Sequence, residues 1–219
     1  MTQKLKNDYF KFFKTKNFYQ FTNLLVVRLF LSRLSSIKKG EGARICDLGC
    51  GRTDNFNFFS FLKFKYYGVE TSLNTVKLLN KINKCNNFYL GTNDETPFKK
   101  NYFDFLISIH SFYYLKNQKI TLNDHLNEAK RILKKGGIFI VTFPKKDYAN
   151  YQVIKYKNIF KFKNDKFKIR ENSFADIPYG KMEIKKVFKK DFKILDIGFL
   201  DYSLIGLSER HNWCVLKKR

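Results

Sequence analysis

The stretch from Arg44 to Asn55 reads RICDLGCGRTDN, an acid followed by two glycines one residue apart at the end of an apolar run. Such residues serve three chemistries. Glycines after a strand let a ligand lie against backbone N–H groups. Asp47 offers a negative charge to a cationic ligand, and Cys46 and Cys50 offer two thiols to a metal. A zinc site asks for a second Cys or His pair at ligand spacing. His110, His125 and His211 are isolated in the sequence, so no metal is expected.

The dinucleotide pattern G-x-G-x-x-G requires glycine at position 54, where this chain has Asp54. A carboxylate at a helix start opposes a pyrophosphate. The G-K-[ST] ending of a P-loop is absent too. An acid at this loop suits a ligand with positive charge and no phosphate, and S-adenosylmethionine (SAM) carries a sulfonium and an ammonium. Asp47 can then face the ammonium directly or through water. Glu70 closes the next apolar run, YYGVE, where a carboxylate can accept both ribose hydroxyls. NAD sites share that acid, so Asp47 is what separates the two ligands.

These residues need strands ending at one edge. From Ala43 onward, short apolar runs alternate with helical periods, the pattern of a parallel sheet with covering helices. Strands are expected over 43–48, 66–70, 88–90, 103–109 and 138–143. A helix starts near Thr53 or Asp54, and a second follows Thr71 and Ser72. A third is opened by Thr121 with Asp124, carries Leu122, Leu126, Ala129 and Leu133, and is closed by Gly136. Residues 193–200 and 212–216 read as an antiparallel pair at the sheet edge. Residues 145–180 form an insertion with a small hairpin around Asn164 and Asp165. An N-terminal amphipathic stretch, with Phe18, Phe21, Leu24 or Leu25, and Leu29, reads as a helix packed on the sheet, with a membrane-surface helix as the alternative.

The order of these motifs resembles class I SAM-dependent methyltransferases, of the group acting on small molecules. DLGCG, YGVETS, GTNDETPF, FDFLISIHSFYYL and EAKRILKKGGIFIVTFP match successive family segments between Ala43 and Phe143. The resemblance implies a Rossmann-like α/β three-layer sandwich with a mostly parallel seven-stranded sheet and an antiparallel C-terminal hairpin. It also implies one domain over 1–219: a helical cap at 1–40, a SAM-binding core at 43–143, a substrate-covering insertion at 145–180, and a C-terminal helix and strands at 181–219. The resemblance further implies SAM as cofactor and S-adenosylhomocysteine as its product. The implied cofactor residues are Asp47, Gly49, Cys50, Gly51, Glu70, Thr71, Thr92, Asn93, Asp94 and Ser108. Two positions depart from the family: Thr53 replaces a loop glycine, and Thr92 replaces the usual adenine acid, leaving Asp94 as the candidate for the exocyclic amine.

Methyl transfer needs alignment more than acid or base, because the carbon is already activated. His110 ends the fourth strand, where it could deprotonate an acceptor; a loop histidine satisfied locally is the equal alternative. Tyr113 is a second catalytic candidate. Tyr114, Tyr148, Arg170 and Tyr179 are candidates for holding the acceptor, with core packing or, for Arg170, a solvated hairpin charge as the competing reading. His125 is expected to face solvent and His211 to sit at a hairpin end.

Composition narrows the partners. The net charge is +24, yet lysine outnumbers arginine 35 to 8, a bias that follows AT-rich codons rather than the arginine fork used to read phosphate. No run approaches a membrane span and no apolar leader opens the chain, so a cytoplasmic location is expected. The acceptor is read as a small molecule methylated at oxygen or nitrogen. RNA is the second reading, although SIHSFYY has neither the Pro-Pro-aromatic nor the Pro-Cys motif of base methylation. A non-catalytic SAM-binding regulator is the third.

Overall fold

The computed structural model describes residues 24–33, 41–52, 55–146, 152–156, 159–165, 170–204 and 207–219. Thr53, Asp54, Tyr148, Phe18 and Phe21 lie outside them, and with these the expected helix start at Thr53 or Asp54.

Five strands run parallel: β1 (Arg44–Leu48), β2 (Lys65–Glu70), β3 (Phe88–Leu90), β4 (Phe103–Ser108) and β6 (Leu133–Pro144), with the short β5 (Tyr114–Leu115) between the last two in sequence. β10 (Phe192–Leu204) and β11 (Leu207–Lys218) complete a seven-stranded sheet in the order β10-β11-β6-β4-β1-β2-β3. β11 lies antiparallel between β6 and β10, so the expected edge hairpin is present. β4 is buried on both faces, as its unbroken apolar run requires.

Helices cover both faces. α1 (Leu24–Arg33), α2 (Phe56–Phe61) and α3 (Leu73–Ile82) pack on one, where Leu25, Val26, Phe30, Phe59, Val76 and Leu79 meet Ile45, Ile107 and Ile140. α4 (Leu122–Ile132) and α5 (Lys181–Phe188) lie on the other, with Leu126, Ala129, Ile184 and Phe188 against Leu106, Phe139 and Leu216. The amphipathic N-terminal stretch is thus a packed helix where it is described. Ser72 caps α3 by accepting from the Thr75 N–H at 3.3 Å, and Asp124 accepts the Thr121 N–H at 2.8 Å to open α4.

One expectation is corrected. α4 ends at Ile132, and Gly136, at φ +75°, lies inside the longer β6. Leu133 leaves the helix because its pairing with Phe103 extends the sheet. β7 (Gln152–Tyr156) pairs antiparallel with β8 (Ile159–Lys163), and β8 also pairs antiparallel with the chain that returns after Asn164 and Asp165, where the small hairpin was expected. β9 (Phe174–Ala175) joins β8 to β5, giving a second, four-stranded sheet of order β5-β9-β8-β7. The insertion is therefore stitched to the loop after β4, beside the strand ends. The Lys218 ammonium donates to the Lys130 and Leu133 carbonyls at 2.6 Å each, tying β11 to the end of α4.

Candidate functional site

The carboxyl ends of β1, β2, β3, β4 and β6 form one rim. At β1 the chain turns through Gly49 (φ +72°) and Gly51 (φ +56°). A Cβ on Gly49 would stand 1.7 Å from the Ser111 hydroxyl, so only glycine lets the loop after β4 close this far. The amides of Gly49 and Cys50 both donate to the Val69 carbonyl, at 2.9 and 3.0 Å. The Gly51 N–H donates to Glu70 Oε2 at 3.2 Å.

Glu70 bridges two elements. Its Oε1 accepts from the Thr71 N–H at 2.6 Å, the Thr71 hydroxyl at 3.0 Å and the Ser72 N–H at 3.3 Å. A half-buried carboxylate is held at the rim by backbone amides from the glycine loop and from the start of α3. Asp47 is deeper, 2% exposed. Its Oδ2 accepts from the Tyr66 hydroxyl at 2.8 Å and the Asn55 amide at 2.9 Å. Burial, followed by the charge of Asp47, pushes the Tyr66 phenol well up, so it stays a donor. Tyr66 and Asn55 were not singled out from the sequence; the alternation of β1 and β2, which puts 47 and 66 on one face, is the signal that could have found Tyr66.

Thr92, Asn93 and Asp94 occupy a tight turn closed by pairing of Thr92 with Glu95. The Asn93 amide donates to the Ser111 carbonyl at 3.0 Å. Among the described residues, the buried Thr92 Oγ1 and Asp94 Oδ1 have no hydrogen-bond partner. Two orphaned acceptor-capable oxygens beside the β3 end suit the exocyclic amine and ring edge of an adenine. Glu128 anchors this turn from α4: it accepts the Thr96 N–H at 2.9 Å and pairs with Arg131 at 2.6 Å. Burial opposes its charge, but the Arg131 and Thr96 bonds hold its carboxyl below the usual range.

Three sequence candidates take structural places. Ser108 is fully buried, its hydroxyl donating to the Leu48 carbonyl at 2.9 Å, so it pins β4 to β1 beneath the loop. The Cys50 thiol is buried and pushed well up by burial and then by Asp47. Cys46 packs on the opposite face of the sheet, so the two thiols do not face one another. Thr71 stays at the rim with Glu70.

The second half of the rim belongs to β4, β6 and β11. His110 follows β4 in a left-handed backbone (φ +58°), with its N–H donating to the Thr142 hydroxyl of β6 at 2.8 Å. A non-glycine residue held there stores strain, which persists where neighbours fix it. Its ring lies 4.1 Å from that of His211, at 65°. His211 corrects the expectation of a hairpin end: it pairs with Pro144 within β11 and is 2% exposed. Burial, then the neighbouring His110 and Arg170, pull its pKa well below the usual imidazole value, so it is neutral. His125 is also corrected. It is buried in α4, with Nδ1 2.7 Å from the Phe112 carbonyl, and burial lowers its pKa.

The remaining described candidates, Tyr113, Tyr114, Arg170 and Tyr179, lie in or beside the second sheet. Tyr113 is buried against Tyr114 (4.6 Å) and Phe143 (6.4 Å), and its carbonyl accepts the Asp176 N–H at 3.0 Å. Tyr114 lies in β5 against Phe162, 5.3 Å away. Arg170 is not a solvated charge: its side chain is 15% exposed and its guanidinium bonds Asp165 Oδ1 at 2.7 Å, the Asp165 side chain being 0% exposed. Tyr179 packs on Phe160 at 5.0 Å, and its carbonyl accepts from Asn212, the neighbour of His211, at 3.3 Å. Its buried hydroxyl has no partner among the described residues. Burial and then Glu183 raise its pKa, so it remains a phenol.

The strand order, the glycine turn beside Glu70 and the covered second half of the rim define the class I, Rossmann-like methyltransferase fold. Residues 46–141 match the family described as a methyltransferase domain. These residues therefore carry a methyltransferase domain, and SAM is the methyl donor that its glycine turn and Glu70 would take. Among solved structures it is similar to a Pyrococcus horikoshii protein, at 19% identity and TM-score 0.64, over 95% of this chain and 99% of that one. A Methanosarcina mazei SAM-dependent methyltransferase matches at 12% and TM-score 0.64, over 90% of this chain and 98% of that one. The Burkholderia thailandensis 1,6-didemethyltoxoflavin-N1-methyltransferase, with 1,6-didemethyltoxoflavin and S-adenosylhomocysteine bound, matches at 12% and TM-score 0.62, over 98% of this chain and 87% of that one. No curated protein matches the sequence. Bound SAM supplies a methyl group already activated by its sulfonium; Glu70, the glycine loop and the Thr92 to Asp94 turn are the residues that would hold it.

Proposed function

We propose that the protein methylates an oxygen or nitrogen of a small cytosolic acceptor, with the reacting corner formed by His110, Tyr113, Tyr114, Tyr179 and Arg170 within one catalytic domain. The observation that carries this reading is His110. A strained histidine is fixed at the end of β4 by Thr142 and lies next to the insertion sheet that β5 joins to the same loop.

Each residue then has a task. The His110 imidazole takes the acceptor proton, and Tyr179, a phenol whose hydroxyl lacks a partner among the described residues, donates to the acceptor. Tyr113 and Tyr114 wall the site and keep water out. Arg170, half-buried near His211, adds positive potential that favours an acceptor losing a proton. The cover supports a small acceptor over RNA, because a tRNA or rRNA needs an open groove.

Release of S-adenosylhomocysteine with a panel of phenols, hydroxy acids and nitrogen heterocycles tests the reading. Turnover on one of them that falls about 100-fold or more in His110→Ala is expected for a lost general base. Salt-sensitive binding of tRNA, with no turnover on the panel, would replace it with the nucleic-acid reading.

A further inference from the structure

We propose that His211 is a positioning residue for methyl transfer: through ring contact it orients His110 as proton acceptor for acceptors bearing an acidic O–H or ring N–H. The proposal rests on the reading of His110 at the reacting corner and assigns a role to a residue that touches neither acceptor nor cofactor.

The geometry is specific. His110 cannot relax along its own backbone without leaving the Thr142 hydroxyl, and its ring meets the His211 ring edge-on at 4.1 Å. His211 is immobile, since β11 is paired with Pro144 of β6 on one side and with Leu200 of β10 on the other. A rigid ring on a strand thus sets the rotamer of a less buried ring on a loop.

The charges facing the pair define which ring carries the proton. From the loop after β4 comes His110, and from the cover sheet segment comes Arg170 with its partner Asp165. Arg210 of β11 and Lys145, which follows β6, are each paired with Asp201 of β10. Two rings this close do not both charge, and burial keeps His211 neutral. The proton therefore goes to His110.

The step balances on that ring. The acceptor O–H or N–H gives its proton to a His110 nitrogen, and the freed lone pair forms the bond to the methyl carbon. The carbon–sulfur bond breaks with its electrons left on sulfur, turning the sulfonium into a thioether, and the imidazolium later releases its proton to solvent. A neutral amine needs no such removal before attack, so the arrangement favours hydroxyl and azole acceptors.

The chain holds only three histidines, so ring C–H resonances can be followed individually by NMR against pH. In the wild type, His110 should titrate in one step while His211 stays neutral until the protein unfolds in acid. In His211→Ala the His110 midpoint should move by about half a unit or more, and its ring-current shift should collapse. His211→Phe, which restores a ring but no nitrogen, should return the ring-current shift and most of the activity lost in His211→Ala, about 10- to 100-fold in kcat with 4-nitrophenol as acceptor. S-adenosylhomocysteine affinity should stay within twofold throughout. His110 resonances unmoved in His211→Ala, or titration of His211 near an ordinary imidazole value, would overturn the proposal. Methyl transfer unchanged in His110→Ala, with the ring coupling intact, would instead overturn the reading of the reacting corner.

Discussion

Gly49→Ala is the sharpest single test of how the glycine turn is built. At φ +72° an alanine is strained by about 1–2 kcal/mol. Its methyl would also stand 1.7 Å from Ser111 Oγ and 2.5 Å from Ser111 Cβ, so rotating the hydroxyl away cannot clear it. Moving Ser111 costs about 1–3 kcal/mol by the experience of overpacked cores. The sum, about 2–5 kcal/mol, is a large share of a typical folding free energy. Ser111 also carries the carbonyl that holds Asn93, so the displacement reaches the Thr92 to Asp94 turn. Urea unfolding should show the stability loss, and calorimetry should show S-adenosylhomocysteine binding weakened about tenfold or more. Adding Ser111→Gly should recover the steric share and leave the backbone share. A Gly49→Ala loss below about 0.5 kcal/mol, the range of an ordinary surface substitution, would refute the reasoning.

Other variants probe the buried charges. Tyr66→Phe removes one donor from the Asp47 carboxylate and should lower stability by about 1.5–3 kcal/mol in urea unfolding, with weaker cofactor binding. Arg170→Met strands the buried Asp165 and should cost about 3–5 kcal/mol, much of it recovered when Asp165→Leu is added. The buried histidines impose a pH dependence. The folded pKa of His125 lies below its ordinary 6.5, so on acidification the unfolded chain takes up the proton first and stability falls as pH drops through that value. Thermal unfolding should show a lower Tm at pH 5.5 than at pH 7.5, and His125→Gln should flatten that slope.

The sheet was legible because burial on both faces leaves unbroken apolar runs, as in β4, and because Ser72 and Asp124 announce helix starts in local chemistry. The glycine loop, Glu70 and the turn at Thr92 were legible for the same reason: each follows a strand end directly. What escaped depended on partners distant in sequence. His125 sits beside Leu126 on α4, but only the Phe112 carbonyl from another loop makes its burial tolerable. His211 reads as a polar residue near a turn, and nothing local tells that β11 threads between two strands. Arg170 looked like a surface charge because Asp165, five residues away, gives no sign that it is buried.

That threading has a consequence for how the protein is made. β11 comes later in the chain than β10, yet it fills the slot between β10 and β6. Until it emerges from the ribosome, β6 presents an open edge and β10 has no strand to join, so the nascent sheet exposes ladders that other chains could occupy. The histidine pair shares this timing, because His211 arrives with the strand that closes the gap. The corner proposed to react is therefore completed in the same event that completes the sheet, and a chain stalled before β11 would carry His110 without the ring proposed to orient it.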